Sequence, residues 1–134
     1  MASFRYGPIL PFRSTADYST AGQYTFMKYS GSISTIDGLP TVTQQAALGT
    51  TDSVGVLLDK PKANETASVQ TYDVCKVTAG VALPTPGTKI SSDASGRAVV
   101  AISTYYVLGE TMEIATAVGD IITVRLYPSH TILV

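Results

Sequence analysis

The sequence has no tryptophan, one cysteine and one histidine, and only 14% of its 134 residues are charged. Each shortage excludes a kind of chemistry. One histidine and one cysteine cannot build a zinc centre, and the loop Ser91-Ser92-Asp93-Ala94-Ser95-Gly96 offers a single carboxylate, too little for calcium. No metal site is expected. Cys75 cannot form an internal disulfide; it lies in an apolar run that reads as strand, in no electropositive setting, so it is expected to be a small buried hydrophobe and not a nucleophile. His130 follows the last strong strand pattern by three residues, and no Gly-x-Ser-x-Gly motif accompanies it. Glu110 and Glu113 are three apart, which on a strand places them on opposite faces and rules out a glycosidase pair. No glycine-rich phosphate loop is present, so no cofactor, no small-molecule substrate and no catalytic residue are expected.

Basic charge is also scarce and scattered. Nine Lys and Arg against ten Asp and Glu leave a net charge of −1, and only Lys60 and Lys62 lie close together. Nucleic acid needs a concentrated basic face, so it is not an expected partner. No apolar run approaches the roughly 20 residues that span a bilayer, and the opening MASFRYGPILPFR lacks the pattern of a signal peptide. No membrane partner is expected, and the protein is expected to be made in a cytoplasm. Asn64-Glu65-Thr66 matches the glycosylation triplet, but without a secretion signal it reads as chance. Low charge leaves few solvated groups to keep like molecules apart, which suits a subunit of an assembly.

What is abundant is β pattern. Ile121 to Tyr127 alternates, with Ile122, Val124 and Leu126 on one face and Ile121, Thr123, Arg125 and Tyr127 on the other. Gly55 to Leu58, Val69 to Val77, Arg97 to Ile102 and Thr111 to Ala115 read as further strands. Between them lie turns: Lys60-Pro61-Lys62, Thr78-Ala79-Gly80, Pro84 to Gly87, Ser92 to Gly96 with Gly96 at positive φ, and Val118-Gly119-Asp120. Only Val42 to Leu48 and Ser103 to Gly109 have room for a helical turn. The fold class is all-β, a small β-barrel or sandwich. Gly55 to Val77 and Gly109 to Tyr127 echo each other loosely, and two such hairpins packed together would close a small barrel.

Residues 1 to 20 stand apart. They carry Pro8 and Pro11, four aromatics and two arginines, and seven of the eleven aromatics of the chain fall within its first 29 residues. The division expected is an extended N-terminal arm over 1–20 and a single β-barrel-like domain over 21–134. The aromatics of the arm either pack back on the core or dock on a neighbour. In the second case the binding residues are Phe4, Arg5, Tyr6, Phe12, Arg13 and Tyr18, inserted as alternate side chains at an exposed sheet edge.

A family resemblance is carried by the order Gly55-Val56-Leu57-Leu58, Val74 to Gly80, Gly87 to Arg97, Leu108 to Glu113 with Ala115 and Ala117, and Gly119 to Leu126. Over residues 55 to 127 the chain resembles the small capsid decoration, or cement, proteins of tailed bacteriophages. The resemblance implies a β-barrel subunit on the exterior of the virion capsid. It would bind the head as a homotrimer, clamping neighbouring major capsid proteins together, with an N-terminal extension reaching the capsid or adjacent subunits. The aromatic density of residues 1 to 29 departs from the family pattern. Two other readings stand beside it: another virion part such as a head-fibre base, or a carbohydrate-binding β-module with Tyr105-Tyr106 as its platform.

Overall fold

The computed structural model describes residues 9–127 and 132–133. It is all-β, and among the described residues there is no helix; the candidate helical turns at Val42 to Leu48 and Ser103 to Gly109 are strand and loop. Five strands close a barrel: β1 (Ile9–Ser14), β2 (Phe26–Ile33), β3 (Pro40–Gln44), β4 (Gly55–Leu57) and β5 (Thr66–Gln70), in the order β1-β3-β2-β4-β5. The other five form a second sheet: β6 (Asp73–Thr78), β7 (Lys89–Ser92), β8 (Ala98–Val100), β9 (Gly109–Thr111) and β10 (Ile121–Leu126), in the order β6-β10-β9-β7-β8. This sheet also curls toward closure. Ala79, just past β6, bridges to Ala98 of β8, and the Gly80 N–H donates to the Ala98 carbonyl at 2.8 Å.

Strand β1 falls within the segment read from the sequence as an extended arm. It runs antiparallel to β5 and parallel to β3. The reading of an extended arm rested on proline, and the register explains why proline is tolerated in a paired strand here. Pro11 lies opposite Ser68, whose N–H goes to Asp59 and whose carbonyl accepts from the Leu58 N–H, both on the β4 side. Pro11 therefore occupies a non-hydrogen-bonded position, and its missing donor costs no ladder bond.

The run Val69 to Val77, read as one strand, is two. The chain turns at Thr71-Tyr72 to leave the barrel for the second sheet, with Asp73 at a φ of 72°. Gln70 holds this turn, its buried amide nitrogen donating to the carbonyls of Tyr72 (2.9 Å) and Val74 (2.6 Å). The two echoing hairpins likewise do not close one barrel: β4 and β5 belong to the first barrel, β9 and β10 to the second sheet.

Two cores result. Inside the barrel lie Phe12, Tyr18, Met27, Val42, Leu57, Ala67 and Val69. The second holds Cys75, Val77, Leu83, Ile90, Leu108, Ile122, Val124 and Leu126, joined by Phe26 and Val56 from the barrel. Alternation along β2 and β4 sends Met27 and Leu57 into one core and Phe26 and Val56 into the other, so these strands are buried on both faces where they meet the second sheet. The β7–β8 turn adds a further join. Gly96, at a φ of 75°, gives its carbonyl to the Phe26 N–H at 2.7 Å, and a Cβ there would stand 2.9 Å from the Phe26 carbonyl oxygen.

Candidate interaction surfaces

Of the residues expected to bind a partner, Phe4, Arg5 and Tyr6 lie outside the described residues, as does His130. Phe12 and Tyr18 are buried in the barrel core. Phe12 points inward because β1 alternates, and Tyr18 is fixed at both ends. Its N–H donates to the Pro61 carbonyl at 2.7 Å, and its phenol oxygen accepts from the Gln44 N–H at 2.8 Å. Arg13 points outward and grips the β2–β3 connection. Nε and Nη2 donate to Asp37 Oδ2 at 3.0 and 2.7 Å, and Nη1 to the Asn64 carbonyl at 2.6 Å. The structure thus brings Phe12, Arg13 and Tyr18 together as the root of the N-terminal segment.

At that root the barrel has an open mouth. Leu10, Tyr29, Val54 and Tyr72, with Asp52, Ser53 and Thr71, line a groove of about 370 Å³. Leu10 and Tyr29 share the inward parity of Phe12 and Met27 but lie one step beyond the last buried layer. The Tyr29 ring meets Phe12 edge-on, with centroids 5.9 Å apart. Asp52 and Thr71 on the rim are each already engaged. Sequence reading missed the groove, because its walls come from four separate strand ends.

The β2–β3 hairpin leaves the barrel rim beyond Tyr29. Among the described residues its strand pairing from there to Pro40 is with itself alone, and Ile33 and Ile36 at its end are each 66% exposed. A third surface is the outer face and end of the second sheet. Arg125 faces Glu110 at 3.6 Å and lies 5.3 Å from the Tyr127 ring centroid, Lys76 Nζ donates to Thr123 at 2.9 Å, and Met112, Ile114, Val118 and Ile121 are exposed. The Tyr105-Tyr106 pair does not make an open platform. The Tyr105 ring lies against Gly49, where any Cβ would collide with it, and Tyr106 packs on the second core and bridges Ile132.

The groups with reactive potential are held in structural roles. Burial pushes the Cys75 thiol up to about 12, far from a reactive thiolate at neutral pH. Asp93 organises the β7–β8 turn, accepting from the Ser95 and Arg97 N–H groups and from Arg97 Nε. Glu113 accepts from the Thr123 N–H at 3.0 Å. Asp120 is held below the ordinary carboxylate range by the Thr116 hydroxyl and the amides of Ala117 and Thr116. Among the described residues no group of three or more His, Cys, Asp or Glu is placed to hold a metal ion.

Two joined cores thus leave exposed apolar side chains at the barrel mouth, the hairpin and the sheet end. The phage cement protein family matches the chain over residues 30–126, and the chain belongs to that family. It is a structural component of a bacteriophage virion. The fold is shared with a solved structure, the N base of the head fiber protein gp8.5 of bacteriophage phi29. That likeness has a TM-score of 0.67 and 18% sequence identity, over 90% of this chain and 94% of the other. Comparison with curated protein sequences gives no match.

Proposed function

We propose that the chain is a capsid cement subunit that binds the exterior of the phage head as a homotrimer and stabilises contacts between major capsid proteins. The observation that carries this reading is the family match over residues 30–126, which takes in nine of the ten strands in whole or part. The surface chemistry supports it. Charged residues are few, and the exposed side chains include isoleucine, leucine, methionine and tyrosine, the composition of a protein interface core. In this reading Phe4, Arg5 and Tyr6 contact a neighbour on the capsid, while Phe12, Arg13 and Tyr18 anchor the root of that segment. Three arms held by one trimer raise each other's effective concentration, so individually weak contacts suffice.

The test is decoration of undecorated heads by the purified chain, followed by heating. Saturable binding in multiples of three, with heads that withstand a higher temperature, is the expected result; binding without any gain in head stability would remove the cement role. A second reading, the base of a head fiber, is favoured by the shared fold with the phi29 protein. Electron microscopy of the virion distinguishes the two, since a fiber base carries density projecting beyond the decorating subunit.

A further inference from the structure

We propose that the β2–β3 hairpin is an attachment prong, whose Ile33 and Ile36 enter an uncharged apolar recess on the capsid protein. The hairpin is preorganised. Its turn closes through the Ser34 N–H to the Leu39 carbonyl (2.8 Å) and the Gly38 N–H to the Ser34 carbonyl (2.9 Å). The Ile36 N–H is held by the Ser34 hydroxyl and the Leu39 N–H by Asp37 Oδ1. Along the stem the Thr41 hydroxyl bonds across the strands to the hydroxyls of Ser30 and Ser32 and to the Ser32 carbonyl. The Arg13 fork on Asp37 then ties the turn to β1. Ordering a binding element in advance removes an entropic cost of association.

Chemistry at the tip selects the partner. Asp37 is the only charged residue from Ser30 to Thr41, and Arg13 neutralises it. Two isoleucines therefore stand out from a neutral Ser, Thr and Gly surround, which suits an apolar recess and offers nothing to a charged one. Membership of the phage cement family makes the capsid the partner to which the inference commits, with a second copy as the outcome that would overturn it. The family match opens at residue 30, at the first residue of the projecting stem, and leaves out β1 and the segment before it. The exposed apolar tip thus belongs to the part of the chain that carries the family likeness, and β1 does not.

The inference rests on the capsid-binding reading, and the experiment separates the two. Full-length labelled chain is titrated onto undecorated heads of the phage that encodes it, at low salt and at 1 M salt. Ile36→Ser and the double variant Ile33→Ser/Ile36→Ser are compared with Ile102→Ser, an exposed isoleucine outside the three surfaces described above. The double variant is expected to bind roughly a hundredfold more weakly, with Ile36→Ser between. Its melting curve and oligomeric mass are expected to be unchanged, Ile102→Ser is expected to bind normally, and salt is expected to have little effect. If the unaltered chain does not bind heads, the capsid reading itself falls. If it binds and the double variant binds equally, the prong is overturned. If the double variant fails to bind because its oligomer has dissociated, by sedimentation velocity, the hairpin joins copies of this chain and the proposal is also overturned.

Discussion

Phe26 and Val56 face each other across β2 and β4, and both point out of the barrel into the core of the second sheet. Their strand neighbours Met27 and Leu57 point the other way, into the barrel. The two halves of the molecule are thus joined through strands that serve both cores, in place of a separable interface.

Phe26→Ala is expected to cost on the order of 3 to 5 kcal/mol, as for truncation of a buried aromatic, and to lower the stability of both halves together. Thermal unfolding followed at the barrel and at the second sheet by separate probes should remain one transition. Two transitions, with only the second sheet weakened, would show that the halves fold independently.

The C-terminal strands were legible because one face of each is buried and the other solvated. In β10, Ile122, Val124 and Leu126 are buried while Ile121 and Arg125 are exposed, as the alternation implies. The barrel was less legible. β2 carries Ser30-Gly31-Ser32 just before its last residue and β3 begins at a proline, residues that mark turns when no partner strand is known. Pro11 hid β1 for the same reason, since whether proline breaks a strand depends on which edge its nitrogen faces. The Thr71-Tyr72 turn was invisible because no glycine or proline marks it and its own residues, threonine and tyrosine, are strand formers. The surfaces were the least readable of all, since Leu10, Tyr29, Val54 and Tyr72 meet only after the barrel closes.

Strand β10 offers a direct contrast between its faces. Ile122→Ala should cost about 2 to 4 kcal/mol through loss of buried surface and the cavity left behind. Arg125→Ala removes an exposed ion pair with Glu110 and a stacked ring, and should cost less than about 1 kcal/mol. Chemical denaturation of the two variants checks this, and equal losses would contradict the register of β10 against β6 and β9.

The hairpin lock should respond to acid. Arg13, beside Asp37 and hydrogen-bonded to it, holds that carboxyl below its ordinary value of 3.8, with the Leu39 N–H adding to the effect. A lowered folded-state pKa means the lock is fully present above the ordinary value and is lost as pH falls through the depressed one. The Leu39 amide signal in NMR should therefore be constant through the neutral range and titrate with a midpoint below 3.8. Arg13→Gln should raise that midpoint toward the ordinary value. A midpoint unaffected by Arg13→Gln would mean that the guanidinium does not govern Asp37.

The N-terminal segment should divide at Ile9. Removal of residues 1–8 leaves every strand pair among the described residues in place, so a chain starting at Ile9 is expected to melt as the full chain does. A chain starting at Ala21 loses β1 and with it both neighbours' hydrogen bonds, opening the barrel between β5 and β3. It also loses Phe12 and Tyr18 from the core. Deleting one buried aromatic costs about 3 to 5 kcal/mol, and two of them with a strand amount to most of the roughly 5 to 15 kcal/mol that stabilises a typical domain. The shorter chain should show no cooperative transition by circular dichroism, and should aggregate through the strand edges it exposes. The two truncations also sort the aromatics by role. If the chain starting at Ile9 folds but binds undecorated heads weakly, Phe4 and Tyr6 act on a neighbour while Phe12 and Tyr18 act on the fold. If the chain starting at Ala21 kept the full melting temperature, β1 would be dispensable to the barrel, and the anchoring role assigned to Phe12, Arg13 and Tyr18 would fall with it.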